Sequence, residues 1–470
     1  MKAAPPLRPR VGLLALTLEL YETISPGLRQ EREKWLRRDI LPALEPIAEV
    51  KFNQAVYRRE DVEDAVRDFE AEGLDALLVI LLTYSPSQLA LPALKRTHLP
   101  IIVWNTQELF EINTSFSTAE LISNHGVHGT QDLCNVLLRS GVKFEYLTSH
   151  IRDEKGLNTL GDFFHAASAV RRLRSTRIGL LGYPFPGMGD FALDTTHMAG
   201  TLGCQWTNLS MEEYISRAAK AAPEPVAEIV SDYRKTYDVA PDITDEDLEA
   251  TASGELALRG MVTDNKLNAL SYQFMAFGDD RRRPAVPFVA ASRLMAEGIG
   301  FGGEGDLIAA AGTAFLNWLK PPASFTEIFT IDFADNSVLM SHMGEANVAM
   351  ARSDCKIRMV VRTRPLTPTR QHQLVLATNF EPGPATLCAL TLGPGGGWRL
   401  VVSRINIADF GPLASLEVPH FKLVPCGDVR DFLSAYATAG GPHHLAVCFG
   451  DARERLKMAA ELIDADYCEV

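Results

Sequence analysis

The first half of the chain alternates short apolar runs with longer segments in which apolar residues recur at helical spacing. Residues 74–82 are apolar at nearly every position, which is typical of a strand buried on both faces of a parallel sheet. Residues 29–47 carry the amphipathic pattern of a long helix. The same patterns predict strands at residues 11–18, 50–55, 100–105, 178–182, 205–209 and 269–275, and helices at residues 61–72, 86–95, 191–202, 290–297 and 307–319. Strands alternating with helices predict a doubly wound parallel sheet, and the pattern restarts at Arg177, which indicates a second one.

The pattern changes after Pro321-Pro322, where short strands follow one another. Strands are predicted at residues 325–333, 337–342, 356–362, 373–379, 385–392 and 398–405, and helices at residues 429–435 and 452–462. The fold class is therefore α/β, with two Rossmann-like doubly wound α/β domains followed by a C-terminal antiparallel β domain that is barrel-like. We place the domains at residues 1–172, 173–320 and 321–470.

A glycine-rich stretch at residues 298–306 separates the two helices predicted at 290–297 and 307–319. It has five glycines in nine positions, so the backbone can approach a ligand closely and adopt left-handed angles. Glu304 lies where the second helix begins, and backbone dipoles there favour an ionised carboxylate that can bind a metal or act as a base. Two other interpretations stay open. Gly298, Gly300 and Gly303 spell the dinucleotide pattern G-x-G-x-x-G, although a helix-like segment precedes them, and the stretch also fits a plain connection with a solvated Glu304.

Length, charge and cysteine content exclude several classes of protein. A chain of 470 residues is too long for one hydrophobic core. The net charge of −13 argues against a nucleic-acid partner, and no apolar run reaches membrane-spanning length. The N-terminus lacks a signal-type apolar core, and seven cysteines without a C-x-x-C pair indicate reduced thiols. We therefore expect a cytoplasmic protein.

The β region supplies groups that could complete a metal site with Glu304. They are Glu327, His342 and the pair His443-His444, although their separations are too long to form a local ligand motif. Adjacent side chains of an extended segment point in opposite directions, so at most one of the two paired histidines should face a given site. Separately, the loop after the first strand is a candidate site wall, and His125 and His128 lie one helical turn apart beside two glycines.

These segments resemble L-arabinose isomerase and the wider arabinose/fucose isomerase group. Phe-Gly-Gly-Glu-Gly-Asp, Ser-Phe-x-Glu, Ser-His-Met-x-Glu and Gly-Gly-x-His-His occur in the order of that family, and weaker likeness covers nearly the whole chain. The resemblance implies a metal-binding quartet of Glu304, Glu327, His342 and His444, holding Mn²⁺ or another divalent ion such as Co²⁺ or Mg²⁺. It also implies an aldose–ketose isomerase of carbohydrate metabolism in which Glu304 and Glu327 move protons through a cis-enediol.

The resemblance extends to substrate and assembly. The partner is then a monosaccharide, and the assembly a homohexamer with sites between subunits. The residues that it places at the sugar are Leu18, Leu20, Tyr21, His125, His128, Met188 and Phe274. Leu18 and His125 stand where arabinose isomerases carry glutamines, so the resemblance does not identify the natural sugar. Two alternatives remain: a non-catalytic sugar-binding or regulatory homologue, which should have lost a ligand, and a related enzyme such as an epimerase.

Overall fold

The structure, a computed structural model, describes residues 7–277, 286–363 and 373–470. The described chain separates into two compact units, residues 7–171 and residues 172–470. The second unit contains both a parallel sheet and a barrel, and the boundaries predicted for the domains stay predictions.

The first unit is a five-stranded parallel sheet of order β2-β1-β3-β4-β5, with helices in the connections. Its central strand β3 has six residues and all of them are buried, as its continuous apolar pattern predicted. The strands are β1 (Arg10–Leu16), β2 (Glu49–Lys51), β3 (Ala76–Leu81), β4 (Ile101–Asn105) and β5 (Glu145–Thr148). The helices are α1 (Leu20–Ile24), α2 (Leu28–Trp35), α3 (Leu41–Leu44), α4 (Arg59–Ala71), α5 (Ser87–Arg96), α6 (Thr118–Ser123), α7 (Gly126–Arg139) and α8 (Glu154–Leu173), which ends just beyond this unit.

The second unit begins with a four-stranded parallel sheet of order β10-β9-β6-β7. Its strands are β6 (Arg177–Leu181), β7 (Gln205–Leu209), β9 (Ala269–Tyr272) and β10 (Gly300–Gly302). The helices of this part are α9 (Thr195–Thr201), α10 (Met211–Ala219), α11 (Pro223–Thr236), α12 (Asp245–Asp264), α13 (Phe288–Ala296) and α14 (Leu307–Leu319). The fold class predicted from the sequence is confirmed in this sheet, in that of the first unit and in the barrel described next.

Six strands of the second unit close into an antiparallel barrel of order β15-β18-β11-β12-β17-β16, in which β16 pairs back to β15. They are β11 (Ala323–Asp332), β12 (Ser337–Ser341), β15 (Gly383–Leu392), β16 (Trp398–Ile407), β17 (His420–Pro425) and β18 (His444–Phe449). Strand β19 (Asp466–Glu469) extends the sheet in parallel with β16, and α15 (Val429–Thr438) and α16 (Arg453–Leu462) lie between the late strands.

Helix α14 joins the parallel sheet to the barrel. All thirteen of its residues are buried, because it packs on β10 on one side and on β11, β15 and β18 on the other. A helix that is apolar on every side is expected only in such an interior position. Asp306 caps its first turn by accepting a hydrogen bond from the Ala309 amide at 2.8 Å. The end of the glycine-rich stretch is therefore fixed against the barrel.

Several local predictions differ from the structure. The strand β10 lies inside the glycine-rich stretch, where side-chain periodicity gives no signal, and pairs with β9. The helix predicted at residues 29–47 includes a π-helical turn at Leu36–Ile40, and that predicted at 191–202 is reduced to α9. Two predicted strands, β13 (Arg358–Val361) and β14 (Leu374–Ala377), lie outside the barrel and form a small sheet with β8 (Asp238–Val239). None of the described helices combines the length and apolar character that crossing a bilayer requires.

Candidate metal and sugar site

Strand register brings three of the predicted ligands together. Glu327 on β11 pairs directly with His444, the first residue of β18, and on its other side with Ser341, the last residue of β12. Side chains at directly opposed positions of neighbouring strands lie within reach of each other. His342 follows Ser341 at once, and the ligand atoms of Glu327, His342 and His444 lie within 4.8 Å of one another. The barrel therefore gathers residues separated by more than a hundred positions.

Glu304 reaches the same place from the glycine-rich turn after β10. Its carboxylate Oε2 lies 3.8 Å from Nε2 of His444. Its backbone is left-handed, with φ 58° and ψ 22°, which is unusual for a residue other than glycine and typical of functional sites. The amide of Phe185 holds this turn by donating to the Glu304 carbonyl at 2.9 Å. All four residues that the resemblance implied as ligands are thus brought together.

A glycine is required next to Glu304. A Cβ atom at Gly303 would lie 2.7 Å from Nε2 of His342, closer than real Cβ contacts. The imidazole can therefore reach its position only because this residue has no side chain. The ring of Phe325 fills the space between the two histidines, with its centroid 4.7 Å from that of His342 and 4.9 Å from that of His444.

Each metal-site histidine is oriented by a carboxylate behind it. Nδ1 of His342 donates to Glu345 at 2.6 Å, and Nδ1 of His444 donates to Asp306 at 3.0 Å. In both rings the opposite nitrogen, Nε2, is buried and has no hydrogen-bond partner among the described residues. A carboxylate that fixes the tautomer and leaves the other nitrogen free is the usual arrangement behind metal-binding histidines. The orphaned nitrogens and the two carboxylates thus fit a divalent ion.

The electrostatics of the cluster agree with its burial. Burial is the largest cause of the raised pKa of Glu304; the charges of His342 and His444 oppose it, and Glu327 adds to it. Burial alone would lower the pKa of His342, but the Glu345 carboxylate, followed by Glu327 and Glu304, outweighs this and raises it. Without a metal ion, therefore, Glu304 and His342 both hold protons to higher pH than ordinary carboxyl and imidazole groups do.

His443 lies on the same side as His444, contrary to the expectation from strand alternation. One ring nitrogen of His443, one ring nitrogen of His444 and one carboxylate oxygen of Glu304 lie within 4.8 Å of one another. The expectation is wrong because β18 begins only at His444, so His443 belongs to the turn before the strand. Its Nδ1 donates to Asp190 at 2.5 Å, which fixes the ring beside Glu304. The pKa of Asp190 is lowered: burial opposes this, and the hydrogen bonds from His443 outweigh it.

The two residues of the second unit that were predicted to contact sugar border the Glu304 turn. Phe274 packs on Phe185 with ring centroids 6.0 Å apart, and Phe185 is the residue that holds the Glu304 carbonyl. The amide of Met188 donates to the carbonyl of Phe185 at 3.4 Å. The segment around Phe185 thus forms one edge of the site, although contact of Met188 and Phe274 with sugar stays a prediction.

The remaining predicted sugar residues form a cluster within the first unit. Leu18 and Leu20 follow β1, and the hydroxyl of Tyr21 is hydrogen-bonded to Nε2 of His125 at 2.6 Å. The rings of His125 and His128 lie 5.2 Å apart at the start of α7, so they share a face as their spacing predicted. The pKa of His125 is lowered by burial and then by the charge of His128. Their role at a sugar stays a prediction.

Four residues of the site were not predicted from the sequence: Asp306, Glu345, Tyr272 and Asp190. Two of them lie inside the quoted motifs, since Asp306 ends Phe-Gly-Gly-Glu-Gly-Asp and Glu345 lies three positions after His342. A buried histidine needs a partner for its second nitrogen, so an acid at short spacing was an available signal. Tyr272, whose hydroxyl donates to Glu345, and Asp190 come from distant positions and left no local signal.

Comparison with known proteins gives consistent matches. The L-arabinose isomerase central domain matches residues 194–320 and the L-arabinose isomerase C-terminal domain matches residues 322–466, together more than half of the chain. An L-arabinose isomerase of Nocardioides sp. is 27% identical over 412 residues, which are 82% of this chain and 79% of that protein. One from Acidothermus cellulolyticus is 27% identical over 396 residues, covering 80% and 77%. One from Mycolicibacterium smegmatis is 25% identical over 417 residues, covering 85% and 81%.

Proposed function

The chain belongs to the L-arabinose isomerase family, and from this premise we propose that it is a metal-dependent aldose–ketose isomerase. The observation that carries the proposal is the convergence of Glu304, Glu327, His342 and His444, with both imidazole Nε2 atoms buried and unpartnered among the described residues. A sugar-binding protein without catalysis has no need to keep two carboxylates and two oriented imidazoles at one point.

The ion in the proposal is Mn²⁺ or a similar divalent cation, held by these four side chains. Two carboxylates balance its charge, and a mixed set of carboxylate and imidazole ligands suits a borderline-hard metal. When bound, such an ion acts as a Lewis acid toward neighbouring sugar oxygens and makes the hydrogen at C2 more acidic.

The two glutamates carry the proton transfers in this proposal. One carboxylate takes the proton from C2 of the open-chain aldose and returns it to C1, through a cis-enediol of the sugar. The other moves a proton from the oxygen on C2 to the oxygen on C1. The aldose thereby becomes a ketose with no net gain or loss of protons or electrons. Burial raises the pKa of Glu304 above its ordinary value in the metal-free site. Such positioned transfer is typically worth ~10²–10⁴-fold in rate.

We further propose that the natural sugar is not L-arabinose. Leu18 and His125 stand where the resembling enzymes carry glutamines, and Nε2 of His125 is already hydrogen-bonded to Tyr21. A sugar hydroxyl that needs the missing amide would be left unpaired, at a cost of ~1–3 kcal/mol. The preferred sugar therefore lacks that hydroxyl or has it in another configuration.

The assembly in the proposal is a closed homo-oligomer, a hexamer in which the first unit of one subunit covers the metal site of another. This rests on the family resemblance and on the general preference for symmetric assemblies. Light scattering on the purified protein tests the assembly, and a fully active monomer would contradict it.

A cytoplasmic location is supported by the seven free cysteines, none of them paired.

The decisive experiment is a panel of pentoses, hexoses and deoxysugars assayed for ketose formation, with Mn²⁺ and after exhaustive chelation. We expect turnover only with the ion and a preference for an aldose other than L-arabinose. Full activity after chelation would refute the metal site, and binding of sugar without turnover would favour a non-catalytic homologue.

The double variant Leu18→Gln with His125→Gln should raise kcat/KM for L-arabinose relative to the other sugars. The exchange Leu138→Gln, at an exposed position of α7, is the control.

A further inference from the structure

Two buried residues lie behind His342, on the side away from the other ligands. Glu345 is 1% exposed and uses both carboxylate oxygens: Oε2 accepts from Nδ1 of His342 at 2.6 Å, and Oε1 accepts from the hydroxyl of Tyr272. Tyr272 is also 1% exposed and is the last residue of β9. The three side chains therefore form one continuous hydrogen-bonded row that runs from the parallel sheet to the barrel.

The row fixes the orientation of the imidazole. A carboxylate oxygen that accepts from Nδ1 of His342 fixes a proton on that nitrogen, so in the neutral ring Nε2 presents its lone pair. The Tyr272 hydroxyl keeps its proton, because burial, together with the charge of Glu345 and the hydrogen bond to it, raises the pKa of Tyr272 well above its ordinary value. The hydrogen bond that this hydroxyl donates to Oε1 helps to fix the orientation of the Glu345 carboxylate, whose Oε2 accepts from His342.

We propose that Tyr272 and Glu345 are positioning residues that set how tightly the site holds a divalent ion, acting through His342 without touching the ion. The inference rests on the proposed function, because it assumes that His342 is a ligand. It adds a specific order in which these residues influence the affinity for the ion. Tyr272 acts through Glu345, and Glu345 acts through His342.

The equivalent support of His444 is less suited to a test. Asp306 accepts from His444 with Oδ2, but its Oδ1 caps α14 through the Ala309 amide. Replacing Asp306 would therefore disturb the helix as well as the imidazole. Tyr272 offers a cleaner change, since Tyr272→Phe removes one oxygen atom and leaves the ring in its packing against Phe277 and Phe301.

The chain also offers a matched control. Tyr214 is fully buried, and its ring packs edge-on against the same Phe277, with centroids 5.7 Å apart. Its hydroxyl has no hydrogen-bond partner in the part of the chain that the structure describes. Tyr214→Phe thus removes the same atom from the same core without removing a hydrogen bond of the row.

The experiment is isothermal titration of Mn²⁺ into the metal-free full-length protein, for the native chain, Tyr272→Phe, Glu345→Gln, the double variant and Tyr214→Phe. Loss of such support typically weakens metal binding by ~10–100-fold, so we expect Tyr272→Phe near the lower and Glu345→Gln near the upper value. Because both act on one imidazole, the double variant should match Glu345→Gln within about twofold. The control should bind Mn²⁺ as the native protein does.

Two further readouts separate positioning from general destabilisation. Thermal unfolding of the metal-free proteins reports the structural cost of each change, and the electron paramagnetic resonance spectrum of bound Mn²⁺ should change for Tyr272→Phe but not for Tyr214→Phe. A native Mn²⁺ affinity in Tyr272→Phe, or additive losses in the double variant, would overturn the inference while leaving the proposed function intact. A native protein that binds no Mn²⁺ would overturn the proposed function itself.

Discussion

Gly303→Ala tests whether the glycine-rich turn exists to admit the imidazole of His342. The added Cβ would lie 2.7 Å from Nε2 and 2.9 Å from Cε1 of that ring. Ordinary van der Waals contact begins at 3.4 Å, so the ring has to retreat by about 0.7 Å, the difference between 3.4 and 2.7 Å. The backbone of Gly303 is not left-handed, so alanine adds bulk without backbone strain.

The size of the effect follows from how little space the ring has. Glu345 accepts a hydrogen bond from its Nδ1, and the ring of Phe325 packs against the imidazole with centroids 4.7 Å apart. Overpacking of this kind typically costs ~1–3 kcal/mol. Metal ligands tolerate displacements of only about 0.2 Å, so the ion needs the ring back in its original place. The strain then appears as lost binding energy, which corresponds to ~5–150-fold weaker Mn²⁺ binding.

The assay is Mn²⁺ titration of metal-free protein together with thermal unfolding in the presence and absence of the ion. The control is Gly427→Ala, an exposed position where a Cβ would meet nothing within 4 Å. For Gly303→Ala we expect weaker Mn²⁺ binding and a smaller rise in Tm on adding the ion. For Gly427→Ala we expect both to match the native protein. If Gly303→Ala binds Mn²⁺ as tightly as the native protein, the close approach does not position His342 and the reasoning is wrong.

Three further predictions address the chemistry. Glu304→Gln keeps the shape of the side chain but removes its charge, so turnover should be lost while circular dichroism stays native; retained turnover would exclude Glu304 as the base. Mn²⁺ binding should release protons and weaken as the pH falls, because the pKa values of Glu304 and His342 are both raised and both groups must lose their protons to bind the ion. Titration in buffers of different ionisation enthalpy measures the release, and an affinity independent of pH between about 6 and 8 would contradict it. Isomerisation in deuterated water should place deuterium at C1 of the ketose, measured by NMR, whereas complete retention of the original hydrogen would indicate a hydride shift.

The sequence by itself determined the elements whose apolar pattern is unambiguous. Helix α14 was predicted to the residue and strand β3 to within two residues at each end, because β3 is apolar at every position over a strand length and α14 at nearly every position over a helix length. The change to short strands after Pro322 likewise predicted the barrel. Local motifs also named the four acidic and imidazole groups, since their residue types and order carry the family resemblance.

Only the tertiary structure decided how these groups meet and what supports them. Strand β10 has glycines at both ends and therefore no side-chain periodicity, yet parallel pairing with β9 makes it a strand. The register of β11 against β18 places Glu327 opposite His444, and no local pattern encodes that pairing. Tyr272 reaches Glu345 across 73 positions of sequence. Periodicity reports the local environment of a segment, whereas strand register and buried hydrogen bonds join distant segments, so they are fixed only when the whole fold packs.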